Sequence, residues 1–361
     1  MEENKAPVRQ LTVLVFCGLL SPIIRLVLGE TGYAAGAGGW LSPMIALPIY
    51  LLPVWVLIIV FRRLPKGTGL SGLYQLAFGK RPGKALTLMT GLWALLAAAL
   101  ALRFYVESMV SSVYADTSVW LFLAGLMAVV WYVCVQGRAA VCRMVRIFLP
   151  VLGITVGLIL LLGVREMHLY HVWPVWLEGA DGLLRSAVPV TVVLGYSIPV
   201  LFLRGEVGET QEGRRLVFRW MTGLCLLMSA AGLIILGMFG WKTAVRLQMP
   251  FFSVAKEVSV LNVIERVESV VAAVWALSDI ALIAALMDAA ADCLQKGAWP
   301  VRRNLLFGGA GIVVLLLAAF VGPSAFELRN QWVRCLQYVD GAVCYALPLA
   351  ACGTAWARKR I

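Results

Sequence analysis

The side chains able to do chemistry in this sequence lie where water is scarce. Asp279 falls in the apolar stretch SVVAAVWALSDIALIAALM, behind Trp275 and Ser278. No basic residue occurs between Arg266 and Lys296, so any charge partner must come from another segment, from water or from a ligand. An ionised carboxylate in such surroundings is costly unless it is paired or faces a cavity. Two roles stay open for it: to meet a ligand amino group or a coupling cation, or to make a structural hydrogen bond, to Tyr196 or a group in the last apolar run. Arg103 and Glu107 stand four apart and can pair along one helix face, as a structural ion pair or as a ligand contact. Arg25 is long enough to snorkel to an interface. Asp288 and Asp292 lie near the end of their apolar run and are expected to reach water.

Backbone groups form a second set of candidates. Gly18, Ser21 and Pro22 interrupt the first apolar run, and Pro189, Gly195, Tyr196, Ser197 and Pro199 interrupt the sixth. Proline removes a backbone donor and glycine relaxes the chain, so both runs are predicted to unwind in mid-membrane and present polar backbone to a small ligand. A proline kink with ordinary packing is the alternative. If the site forms, half-helix N-termini would face a ligand carboxylate.

Other chemistries find no support. His168 and His171 are three apart but lack a third ligand, which makes a poor metal site. The eight cysteines show no C-x-x-C pair and behave as small hydrophobes, so neither a disulfide framework nor zinc is expected. Gly153 and Gly157 form G-x-x-x-G, a helix-packing motif. There is no Walker loop, no dinucleotide fingerprint and no convergent Ser/His/Asp set, so neither an enzyme nor a bound cofactor is expected. The net charge of +12 comes from short basic clusters between apolar runs, not from one basic surface, which argues against nucleic acid.

The elements that must position these residues follow from composition. Hydrophobic residues are 61% of 361 and charged residues 14%, against roughly a quarter charged in a soluble domain. The apolar residues come in runs of about 20, enough to cross a hydrocarbon core of roughly 30 Å. Ten spans are predicted, near 10–28, 40–61, 85–113, 119–136, 147–164, 183–203, 217–239, 267–292, 304–322 and 335–356. The fold class is an all-α polytopic membrane protein forming a single domain over 1–361. With the N-terminus inside, 21 of the 31 Lys and Arg fall on inner segments and seven on outer ones, which puts both termini in the cytoplasm. The third span exceeds one crossing and should tilt or extend beyond the bilayer. Short amphipathic helices are expected at 69–80 on the inner side and within 240–266 on the outer side, and Trp173 and Trp176 suit a membrane interface.

In this setting the sequence resembles the spore germination B-subunit family, permease-like membrane subunits of germinant receptors within the amino acid–polyamine–cation transporter superfamily. The resemblance runs almost end to end. It rests on Gln10 and the Ser21–Pro22 break, Trp40 in GGWLSPMI, and LYQLAFGKRPGKAL (73–86) with Phe78-Gly79-Lys80 and Gly83. It rests further on Arg103 and Glu107, on WPVWLEG (173–179), and above all on VIERVESVVAAVW (263–275) with Glu265, Arg266, Glu268 and Trp275. Where many members carry Gly-Glu in the sixth span, this chain has Gly195-Tyr196. The resemblance implies a five-plus-five inverted repeat with broken helices 1 and 6 and a pocket among spans 1, 3, 6 and 8. Joined to the residue reading, it makes Gly18, Ser21, Pro22, Arg103, Gly195, Tyr196, Ser197, Trp275, Ser278 and Asp279 the candidate ligand-binding set. It also implies sensing of a small nutrient, typically an amino acid, in the spore inner membrane, beside an A subunit and a C-subunit lipoprotein. A free-standing amino-acid or cation-coupled permease is the alternative, since one fold serves both.

Overall fold

The computed structural model describes residues 8–24, 28–112, 117–176, 178–205, 207, 210–247, 249–257, 267–297, 302–321 and 334–358. All regular structure among them is helical. The long elements are α1 (Val8–Pro22), α2 (Leu28–Ala35), α3 (Ser42–Arg63), α4 (Leu70–Phe78), α5 (Lys80–Ser112), α6 (Val119–Val135), α7 (Arg138–Gly163), α8 (Gly179–Gly195), α9 (Ser197–Phe202), α10 (Gln211–Phe239), α11 (Pro250–Glu257), α12 (Val267–Gly297), α13 (Arg303–Phe320), α14 (Arg334–Gly341) and α15 (Leu347–Ala357).

Among the described residues seven stretches are long and apolar enough to cross a membrane, with the shorter apolar helices α1 and α6 beside them. One of the seven, Glu30–Arg63, joins α2 to α3 through a 3-10 stretch at Gly36–Leu41. Gly36 takes a positive φ of 56° there, a conformation open to glycine, and the chain turns between the two helices. We therefore count α1 with α2 as one span and α3 as the next, and among the described residues helices then occupy each of the ten predicted stretches. The third span extends beyond one crossing as expected, over 33 residues.

The bundle centres on α12. Of its apolar window 83% is buried, against 22% for the window in Arg138–Glu166 and 28% for that in Arg303–Phe320, which places α7 and α13 at the periphery. α5 and α1 both pack along α12. Small residues permit this: Ala97, Ala98 and Ala99 of α5 and Ala281, Ala284 and Ala285 of α12 are all buried. Lipid tails are as apolar as leucine, so close van der Waals contact between small residues drives helices together here. Gly18 shows the limit, because a Cβ on it would lie 3.0 Å from the Leu282 backbone.

Three spans are interrupted. α1 ends at Pro22 and gives way to a π turn at Ile23 and Ile24, and the described residues begin again in α2 at Leu28. The sixth span breaks at Tyr196, between α8 and α9. The tenth, which carried no predicted break, has a π turn over Ala342–Ala346 just before Pro348. Proline offers no N–H to the preceding turn, and a π turn absorbs the mismatch.

Contacts sort the connections into two faces. On one, Arg358 donates to the Ala77 carbonyl at 2.7 Å, and Arg204 reaches Asp292. On the other, His171 Nδ1 lies 2.8 Å from the Gly237 carbonyl, and Gly38 abuts Val175. These groupings match the inner and outer sets read from charge. Two details differ. Helix α4 buries Leu70, Leu73, Tyr74 and Ala77 against α5 and α15, so it belongs to the bundle and does not float on the surface. α11 likewise buries Phe251 and Phe252. Much of the Glu265–Arg266 motif, and Arg25, lie outside the described residues.

Candidate functional site

The breaks at Pro22 and Tyr196 and the helix α14 ahead of the π turn of span 10 border a small cavity. Its volume is about 60 Å³, and its walls come from α1, α2, α5, α8, α12 and α14. Pro22 and Tyr196 line it, with apolar groups such as Leu100, Phe104 and Val192. Among the lining residues the polar ones are Glu30, Tyr196, Gln337 and Asp340, and none is basic.

Asp340 is 4% exposed, yet its carboxylate is well supplied with donors. Trp93 Nε1 donates to Oδ1 at 2.7 Å and Tyr196 Oη donates to Oδ2 at 2.8 Å. The two rings meet edge to face with centroids 5.4 Å apart. A carboxylate can accept about four hydrogen bonds, so these two neutral donors leave acceptor capacity toward the cavity. Glu30 contributes a second carboxylate from the first turn of α2, where negative charge complements the helix dipole.

The sequence candidates divide into wall and lining. Ser278 Oγ donates to the Cys17 carbonyl at 2.5 Å and accepts from Ser21 N–H at 2.9 Å. It thus bridges two backbone groups one turn apart on α1, just before Pro22. Ser21 Oγ donates to Asp279 Oδ2 at 3.0 Å, and Asp279 is fully buried. Asp279 therefore bonds α1. The hydrogen bond considered for it from Tyr196 goes to Asp340, and Asp279 is not among the lining residues.

Gly195 packs on span 10, where a Cβ would come 2.6 Å from Tyr345 Cε2. Ser197 Oγ lies 2.7 Å from Tyr50 Oη and donates to the Leu194 carbonyl at 2.6 Å, tying the break to α3. Arg103 pairs with Glu107 as spaced, and neither lines the cavity. Trp275 packs in tilted contact with Phe251 and Phe252 and lines a separate, tighter crevice with Ile24 and Ser108. Of the ten candidates, the structure brings Pro22 and Tyr196 to the cavity. Gly18, Ser21, Ser278 and Asp279 build the α1–α12 junction behind it.

Sequence reasoning missed Asp340, Trp93 and Glu30. The available signal was a carboxylate inside a predicted span, in LQYVDGAVCYAL, five residues past its start. No motif singled that carboxylate out, and the reading of buried acids stopped at Asp279, Asp288 and Asp292.

A second missed feature lies on the basic face. Asp288 and Asp292, expected to reach water, are 7% and 4% exposed. Arg204 holds Asp292 with two bonds, at 2.5 and 2.7 Å. Arg303 pairs with Asp288 and reaches Asp292 at 3.2 Å, and Arg138 lies 3.6 Å from Asp288. The network ties together α7, α12, α13 and the segment after α9.

An all-helical bundle with interrupted spans around a central cavity defines the class: a multi-pass membrane protein of the inverted-repeat transporter fold. Solved structures agree. A Na+-coupled sialic acid symporter in a substrate-bound outward-open state matches with TM-score 0.65 and 12% identity, over 94% of this chain and 78% of that one. A nucleobase-cation-symport-1 family transporter in a closed conformation with bromovinylhydantoin bound matches with TM-score 0.65 and 14% identity, over 98% and 91%. At such identity the likeness concerns the fold. Among curated proteins none matches. A family model described as spore germination protein covers residues 6–329, and the chain belongs to that family.

Proposed function

We propose that this chain is the membrane subunit of a spore germinant receptor and that it binds a small nutrient, an amino acid, in the cavity beside Asp340. The observation that carries the proposal is a buried carboxylate held by two neutral donors and facing a cavity with no basic lining residue. Such a group receives a ligand ammonium, while the aliphatic walls receive a compact side chain. Spans 1, 6 and 10 can shift at their breaks, and a ligand that binds one arrangement better than another shifts the population toward it. The role is binding and conformational change, not catalysis. The resemblance adds an A subunit and a C-subunit lipoprotein as partners, the spore inner membrane as location, and cytoplasmic termini, which the basic face supports.

The fold neighbours favour a second reading, a free-standing permease. The two separate cleanly. Spores carrying Asp340→Asn are tested for germination against single amino acids, and the parent chain is tested alone in proteoliposomes for uptake of the same amino acids. A right-shifted germination response without uptake supports the receptor. Uptake by the chain alone, with unchanged germination in the variant, establishes the permease.

A further inference from the structure

The exposed side of the bundle between α3 and α10 holds a long groove of about 940 Å³. It runs from Pro48 to Arg62 along α3, which at 1.5 Å per residue is roughly 21 Å, deeper than one bilayer leaflet of about 15 Å. Its membrane-side wall is apolar and includes Trp55 and Phe218, 64% and 56% exposed. At the basic face the groove ends in four arginines, Arg62, Arg214, Arg215 and Arg219.

These arginines differ from the others on that face. Arg138, Arg204 and Arg303 are each paired with Asp288 or Asp292. The groove arginines form no ion pair among the described residues, and no carboxylate lines the groove. Arg214 Nε is shielded from solvent without a hydrogen-bond partner. Guanidinium groups take phosphate oxygens in bidentate geometry, and basic pockets between spans on the cytoplasmic side suit anionic lipid headgroups.

We propose that this groove is a binding site for an anionic phospholipid, its phosphate on the four arginines and an acyl chain along Trp55 and Phe218. A zwitterionic lipid fills the apolar part equally well but brings a cation to a cluster that already carries four positive charges. The site therefore distinguishes lipids by headgroup. It is independent of the nutrient cavity, from which it shares no lining residue.

The test uses the purified full chain in neutral detergent, followed by thermal unfolding. Phosphatidylglycerol, phosphatidylcholine with the same acyl chains, and inorganic phosphate are titrated separately. Phosphatidylglycerol should raise the midpoint at concentrations at least about tenfold lower than phosphatidylcholine. Combining Arg62→Gln, Arg215→Gln and Arg219→Gln should abolish that preference, since each basic group near an anionic surface contributes about 1 kcal/mol, roughly fivefold. Arg81→Gln with Lys84→Gln removes comparable exposed charge outside the groove and should leave the preference intact. Should the triple variant unfold, Arg215→Gln alone serves, with a weakening of roughly fivefold. Equal responses to the two lipids, a preference that survives the groove substitutions, or a loss caused equally by the control pair would each overturn the proposal. Reproduction of the effect by inorganic phosphate would reassign the arginines to a soluble anion.

Discussion

The molecule buries carboxylates in two places and treats them differently. At the basic face, Asp288 and Asp292 are clasped by Arg138, Arg204 and Arg303. In the middle of the bundle, Asp340 is bonded by neutral donors from Trp93 and Tyr196. A guanidinium satisfies a carboxylate by neutralising it, and leaves little for a ligand. An indole N–H or a hydroxyl orients the carboxylate and leaves its charge in place. The first arrangement clamps four segments together, and the second keeps a site ready for a cation.

Breaking the clamp should have the largest effect. Asp292→Ala strands Arg204 and takes from Arg303 one of its two carboxylates, and the loss of one member of a buried ion pair costs about 3–5 kcal/mol. Abundance in the membrane should fall severely, read by immunoblot of membrane fractions. Normal abundance would show that water readily reaches the network.

Next comes Gly195→Leu. The new side chain collides with Tyr345 and Cys344, and overpacking of this kind costs about 1–3 kcal/mol. Reduced abundance, partly restored by Tyr345→Ala, is the expected result. Full abundance of the single variant would mean that span 10 yields at its π turn.

Asp340→Asn tests the other side of the comparison. It keeps an acceptor for Trp93 and removes the charge, so abundance should hold while ligand sensitivity falls at least about tenfold, or roughly 1.4 kcal/mol. Ser278→Ala should cost about 1–2 kcal/mol, since it leaves the Cys17 carbonyl and Ser21 N–H without their bridge. The smallest effect is expected from Asp279→Asn, whose amide oxygen still accepts from Ser21. A change in ligand sensitivity below about threefold, under roughly 0.7 kcal/mol, fits a wall residue. If this variant loses more sensitivity than Asp340→Asn, the two carboxylates exchange roles.

Much of this protein was legible in residue order. Runs of apolar residues must cross the bilayer as helices because no water is there to satisfy an open backbone. Basic clusters sort the connections into two faces, and Pro22 and Gly195 mark two of the three breaks, because these residues act through local backbone chemistry. What the sequence could not decide was which buried acid meets which donor. Asp279 stood out by its position in an apolar run, but its neighbour Ser278 turns toward Cys17 and Asp279 itself toward Ser21, 258 residues away. Asp340 stood in no motif and gained a role only when the fold laid Trp93 and Tyr196 against it, and Asp288 and Asp292 looked solvated until Arg204 and Arg303 closed over them. A carboxylate's role depends on what reaches it within about 3 Å, and only tertiary packing brings residues so far apart in the chain to that distance.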